Sequence, residues 1–172
     1  MATIFFLTIR VLHVFLAALW IGAAVFLTYV LMPAVREAGP AGGQVIVKLT
    51  RRGLHRFMAS LAGLTVVTGI WLYWRFTGGF DPAISGSRAG MAFGAGGVAG
   101  LIALGIGGAV VGRGSKQMAG LIEKAAALPE GPERAAAVQA MAPVGARLET
   151  GSSILIVLLA IAVALMAVGH YI

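Results

Sequence analysis

Between Arg10 and Arg36 the chain has no charged side chain. As an α-helix rising about 1.5 Å per residue, the stretch from Val11 to Val35 reaches about 37 Å, more than the roughly 30 Å of hydrocarbon in a bilayer. In lipid every backbone N–H and C=O must be paired within the protein, and a helix achieves this inside one segment. Three further uncharged stretches follow: Phe57 to Trp74, the segment between Arg88 and Arg113, and the run after Glu149. The pattern predicts an all-α integral membrane four-helix bundle, a single transmembrane domain over 1–172 with spans at about 4–33, 54–76, 89–112 and 151–172.

Composition points to the same solvent. Hydrophobic residues make up 59% of the chain, charged residues 11%, and mean hydropathy is +0.95, values unsuited to a soluble domain with a polar surface. No cleavable signal peptide is expected, because the first apolar stretch is too long and no basic region precedes it. The third stretch carries Gly90, Gly94, Gly96, Gly97, Gly100, Gly105, Gly107, Gly108 and Gly112. Gly90/Gly94, Gly96/Gly100 and Gly108/Gly112 therefore form candidate faces for close helix packing. From Ser115 to Leu148 the chain becomes Ala-rich and charged, with Pro129, Pro132 and Pro143. Two short surface helices joined at Leu128 to Pro132 are expected there, between the third and fourth spans.

The charge distribution gives an orientation. Of 13 basic residues, five lie in Ala34 to Arg56 and five in Arg113 to Glu149, while Arg10, Arg75 and Arg88 lie on the opposite side. The basic loops are expected in the cytoplasm and both termini outside it, in the periplasm for a bacterial inner membrane. The net charge of +7 is explained by these span borders, so nucleic acid is set aside as a partner and the lipid bilayer takes its place. Absence of cysteine excludes disulfides, thiolate metal sites, iron–sulfur clusters and covalently attached haem. No hydrolase arrangement is visible: Ser152 and Ser153 begin a helix with no histidine at their depth.

Candidate chemistry rests on the three histidines, since ionisable groups at membrane depth are costly. His13 lies 20 residues before Pro33 and His170 lies 19 after Gly151, so each stands about 30 Å of helix from the basic-loop end. Two imidazoles at matched depth on neighbouring spans are the arrangement that ligates a b-type haem from both sides. Arg10, one turn outward on the face of His13, is placed to pair a haem propionate, with Arg75 and Arg88 at similar depth. Trp20, Ala17, Ala24 and Met166 would wall an apolar slot for the macrocycle. A plainer reading makes His170 an interfacial residue and gives His13 a backbone carbonyl partner in a neighbouring helix. His55, among Arg51, Arg52 and Arg56 at the opposite face, reads as a headgroup-level residue, with a second haem or metal contact through Met58 as the alternative. Seven methionines raise copper as an alternative cofactor, although Met58, Met91 and Met166 are scattered and form no Met-x-x-Met cluster.

The stretch Leu12-His13-Val14-Phe15-Leu16-Ala17-Ala18-Leu19-Trp20-Ile21-Gly22 resembles the first helix of the copper-resistance D (CopD) family and of HemJ-type protoporphyrinogen oxidases. Arg51-Arg52-Gly53-Leu54-His55-Arg56-Phe57 followed by Thr68-Gly69 is similar to their second helix, and Met166-Ala167-Val168-Gly169-His170-Tyr171 resembles the CopD-like terminal helix. The resemblance implies a small helical bundle with His13 in the position of the haem-ligating histidine. The third span has no lysine to match the second essential residue of HemJ-type enzymes, so haem binding is implied rather than protoporphyrinogen oxidation. The resulting expectation is a haem b protein moving electrons between the quinone pool and an outer-face partner, with His13 and His170 as ligands. Copper handling, with the same histidines as metal ligands, is one alternative. A structural or assembly subunit of a larger respiratory complex is the other, and homodimerisation through the third span is compatible with each.

Overall fold

The computed structural model describes residues 2–172. The first span is one rod made of α1 (Ala2–Phe26), a π-helical turn (Leu27–Leu31) and α2 (Met32–Glu37). It does not stop at Pro33, as the sequence predicts. Proline lacks an N–H and its ring crowds the carbonyl four residues back. The π-turn widens the rod just before it, with Met32 N–H donating to Leu27 O, and so absorbs the crowding without ending the helix. A surface helix, α3 (Gly39–Arg51), then runs to Gly53, whose φ of 83° turns the chain into the second span, α4 (Leu54–Phe76).

The short α5 (Pro82–Ser85) is capped by Asp81, which accepts from Ala83 N–H at 2.8 Å. The third span is α6 (Arg88–Ile106), capped by Ser87 through Gly90 N–H at 3.1 Å. It continues through a second π-turn (Gly107–Gly112) into α7 (Arg113–Ala127), so the first expected surface helix is an extension of the span. The expected break falls between α7 and α8 (Pro132–Gln139). The last helix, α9 (Met141–Val168), begins well before Gly151, because Pro143 sits in its first turn, where a missing N–H breaks no helical bond. It ends at Val168, which leaves His170 in the turn beyond the helix rather than on its last turn.

Four of these rods are long and apolar enough to cross a membrane. They stand in a ring, each beside the next in sequence, with the fourth returning to the first. Between the third and fourth spans the antiparallel register holds from end to end. Gly96 lies against Ala162 and Met166, Gly107 against Leu155, Gly151 against Val110 and Gly114 against Leu148. Missing side chains let these backbones approach closely, the form of attraction available when the surroundings are as apolar as the helix. Of the other expected packing glycines, Gly94 receives the Tyr73 ring and Gly90 sits on the Ile84 carbonyl, while Gly100 and Gly108 face open space.

At the centre Leu16, Trp20 and Ala24 of the first span meet Leu61, Ala62, Ala103, Leu155 and Leu159. Large apolar side chains turn outward instead, Val11 being 69% exposed and Val67 64%, a surface suited to acyl chains. At the loop end Arg36 reaches Glu149 at 3.0 Å and Arg51 reaches Glu123 at 3.0 Å. Both pairs are solvent-exposed, so each contributes less than about 1 kcal/mol. At the terminal end aromatic contacts join neighbouring spans, Phe5 with Trp71 at 5.3 Å and Phe76 with Phe93 at 5.1 Å.

Adding a side chain inside the third-to-fourth register should loosen the bundle, and adding one outside it should not. Gly96→Val, whose Cβ would stand 3.2 Å from Ala162 O, is expected to cost about 1–3 kcal/mol in reversible unfolding in mixed micelles. Gly97→Val, which meets open space, is expected to leave the midpoint unchanged.

Candidate functional site

His13 is on the inner face of α1, 9% exposed, and its ring crosses to the second span. Nδ1 lies 2.9 Å from Thr65 O and 3.0 Å from Thr68 Oγ1. A carbonyl only accepts, so the ring proton is on Nδ1. The Thr68 hydroxyl spends its own proton on Leu64 O at 2.7 Å and therefore accepts from His13. Nε2 is left with its lone pair and has no hydrogen-bond partner among the described residues, though it is not fully buried.

The seat for the ring is Gly69. A Cβ there would stand 2.8 Å from His13 Cε1, a separation that real side chains do not adopt. Two of the stretches on which the family resemblance was stated, Leu12-His13 and Thr68-Gly69, thus meet at one point between the first two spans. Thr65 is the partner that sequence reading missed. Its signal was present as a threonine one turn before Thr68 on the same face of an apolar helix.

Other expected site residues divide into two groups. Arg10 and His170 come together: an Arg10 guanidinium N–H donates to His170 Nε2, and the His170 ring stands edge-on to Phe93 at 5.4 Å. Arg75, in the last turn of α4, and Arg88, at the start of α6, are exposed at that same end. Trp20 and Met166 are engaged elsewhere. Trp20 is 3% exposed at the bundle centre, and Met166 lies over Gly96 on the third span. Ala24 is likewise buried in that core. The apolar slot expected between the first and fourth spans is thereby filled below His13.

These positions test the fit of a haem. As a single ligand His13 would fit: Nδ1–H is held by a carbonyl, which fixes the tautomer and leaves the Nε2 lone pair free. His170 fits as a second ligand only after giving up Arg10, whose proton occupies its Nε2. Because the core beneath His13 is packed, a macrocycle bound to Nε2 has to lie outside it. No group of three His, Cys, Asp or Glu side chains suited to a metal ion occurs among the described residues. At the opposite end His55 Nδ1 is buried without a hydrogen-bond partner and is not joined to either of the other histidines.

The His13 contact is measurable as a coupling. A double-mutant cycle of His13→Leu and Thr68→Val should return about 0.5–1.5 kcal/mol of interaction energy in unfolding measurements, the scale of interhelical hydrogen bonds in lipid. Gly69→Val should destabilise by more than either, because it expels the ring from its seat.

Comparison of the chain with protein-family models, with curated proteins and with solved structures returned no match, so the functional reading rests on this geometry.

Proposed function

We propose that the chain is a haem b protein of the membrane in which His13 Nε2 would hold the haem, passing electrons between the quinone pool and a partner at the outer face. The observation that supports this is the state of one nitrogen. The Thr65 carbonyl accepts the hydrogen bond from Nδ1–H, so Nε2 keeps a free lone pair in an apolar helix. That lone pair would be the one to hold an iron. The resemblance of Leu12 to Gly22 to the HemJ-type first helix points the same way.

Each of this chain's residues then has a task. Thr65 O and Thr68 Oγ1 orient the ring, and Gly69 admits it. Arg10, Arg75 and Arg88 would supply cations for propionates, and His170 would be the second histidine to hold the haem in place of its contact with Arg10. When bound, haem b supplies a one-electron couple, and the outward Ile4, Phe5 and Val11 keep that end of the bundle in contact with lipid. The basic loops lie in the cytoplasm of a bacterial cell and both termini in the periplasm.

A second reading has support from the same contact. His13 joins two spans through Thr65 and Thr68, as a purely structural residue of an assembly subunit would. Absorption spectroscopy with pyridine haemochrome analysis separates the two. Protein from haem-replete cells is expected to show a Soret band that His13→Ala abolishes while the variant remains folded. A colourless, folded wild type ends the haem reading and leaves the structural one; stoichiometric copper without haem would replace both. Alkaline phosphatase fused after Ile172 should be active, and the same enzyme inserted between α7 and α8 should be inactive.

A further inference from the structure

On the outer surface between the third and fourth spans, at the loop end, lies a cleft of about 420 Å³. Its walls are Ile106 and Val110 on one side and Gly151 and Ile154 on the other, with Arg147 and Thr150 at the rim. The π-turn at Gly107–Gly112 and the bare Gly151 backbone shape it: Val110 drops against Gly151 and leaves a hollow beside it. Arg147, Thr150 or Gly151, and Ile154 follow the i, i+3 or i+4, i+7 stripe of α9, so the cleft runs about 10 Å from a cation down into apolar side chains.

Charge identifies the occupant. Glu149 is committed to Arg36 and Glu123 to Arg51, whereas Arg147 makes no ion pair among the described residues. A rim of one unpaired cation and a hydroxyl above apolar walls matches one chemistry, a phosphate ester joined to a hydrocarbon chain. Below the cleft the surface continues through exposed Ile154 and Val157, a face suited to acyl chains.

We infer that this cleft is a binding site for an anionic glycerophospholipid, its phosphate against Arg147 and Thr150 and one acyl chain between Val110 and Ile154. The site is independent of the haem reading and sits at the opposite end of the bundle from His13. It also gives the uncompensated basic charge at this end a specific task, in addition to setting orientation.

Native mass spectrometry of the full chain, released from nanodiscs of equal phosphatidylglycerol and phosphatidylcholine, tests the site. The expected result is one retained phosphatidylglycerol per chain in preference to phosphatidylcholine. Arg147→Gln should lower retention about fivefold, the effect of one cation near the headgroups. Ile154→Trp, which fills the cleft and keeps the charge, should also lower it. Lys124→Gln, a cation outside the cleft, should leave retention unchanged. Equal retention of both lipids by the wild type overturns the inference, as does an equal loss from Arg147→Gln and Lys124→Gln. So does a dimer that Ile154→Trp dissociates, which would make a second copy the occupant.

Discussion

Hydrocarbon offers no partner to a polar group, and this single constraint organises the molecule. The spans satisfy their own backbones, and their threonines follow suit: Thr8 donates to Ile4 O, Thr65 to Leu61 O, Thr68 to Leu64 O and Thr77 to Tyr73 O. Each hydroxyl is returned to its own helix. Away from the span ends, His13 makes the polar contact that crosses from one helix to another among the described residues, and it crosses onto acceptors that are already helical. The second span loses nothing by receiving it, since a carbonyl has two lone pairs.

Because apolar burial gives helices little reason to associate in lipid, contact must come from fit. That explains why small residues lie where spans meet and large ones point away. Ala103 is wholly buried, Gly96, Gly107 and Gly151 each receive a neighbour's side chain, and Trp20 fills the middle where four helices cannot all touch. The ends are held differently. Surface ion pairs at one end and aromatic edges at the other contribute less each and join neighbouring helices there.

The spans were legible because charge is excluded from hydrocarbon, and so Arg10, Arg36, Arg56, Arg75, Arg88 and Arg113 bracket them in plain sight. Helix ends were less legible. Pro33 and Pro143 look like stops, yet a π-turn removes the first objection and a first-turn position the second. Helix α3 was hidden because Gly39, Pro40, Gly42 and Gly43 read as a loop. Gly42 in fact provides room for the Val35 carbonyl, and Gly43 for Ile122. At the candidate site, His13 and the Arg10 and His170 end could be found from depth alone. Which neighbour His13 would choose could not, since depth says nothing about rotation. Gly69 matches that rotation, because its missing side chain leaves room for the imidazole.

Both π-turns lie near the loop end, each where a membrane rod runs on into a surface helix. A π-turn adds one residue to a turn and so rotates everything beyond it relative to the regular helix before it. In the first span this lets the face that carries His13, Leu16, Trp20 and Ala24 stay inward while Arg36, past the π-turn, reaches Glu149 on the fourth span. In the third span the same device keeps Gly96, Ala99 and Ala103 buried while α7 turns Gly114 onto Leu148 and Glu123 toward Arg51. The membrane portion and the surface portion of each rod thus have separate inward faces. Without that rotation a regular helix could satisfy the core or the loop-end contacts, but not both.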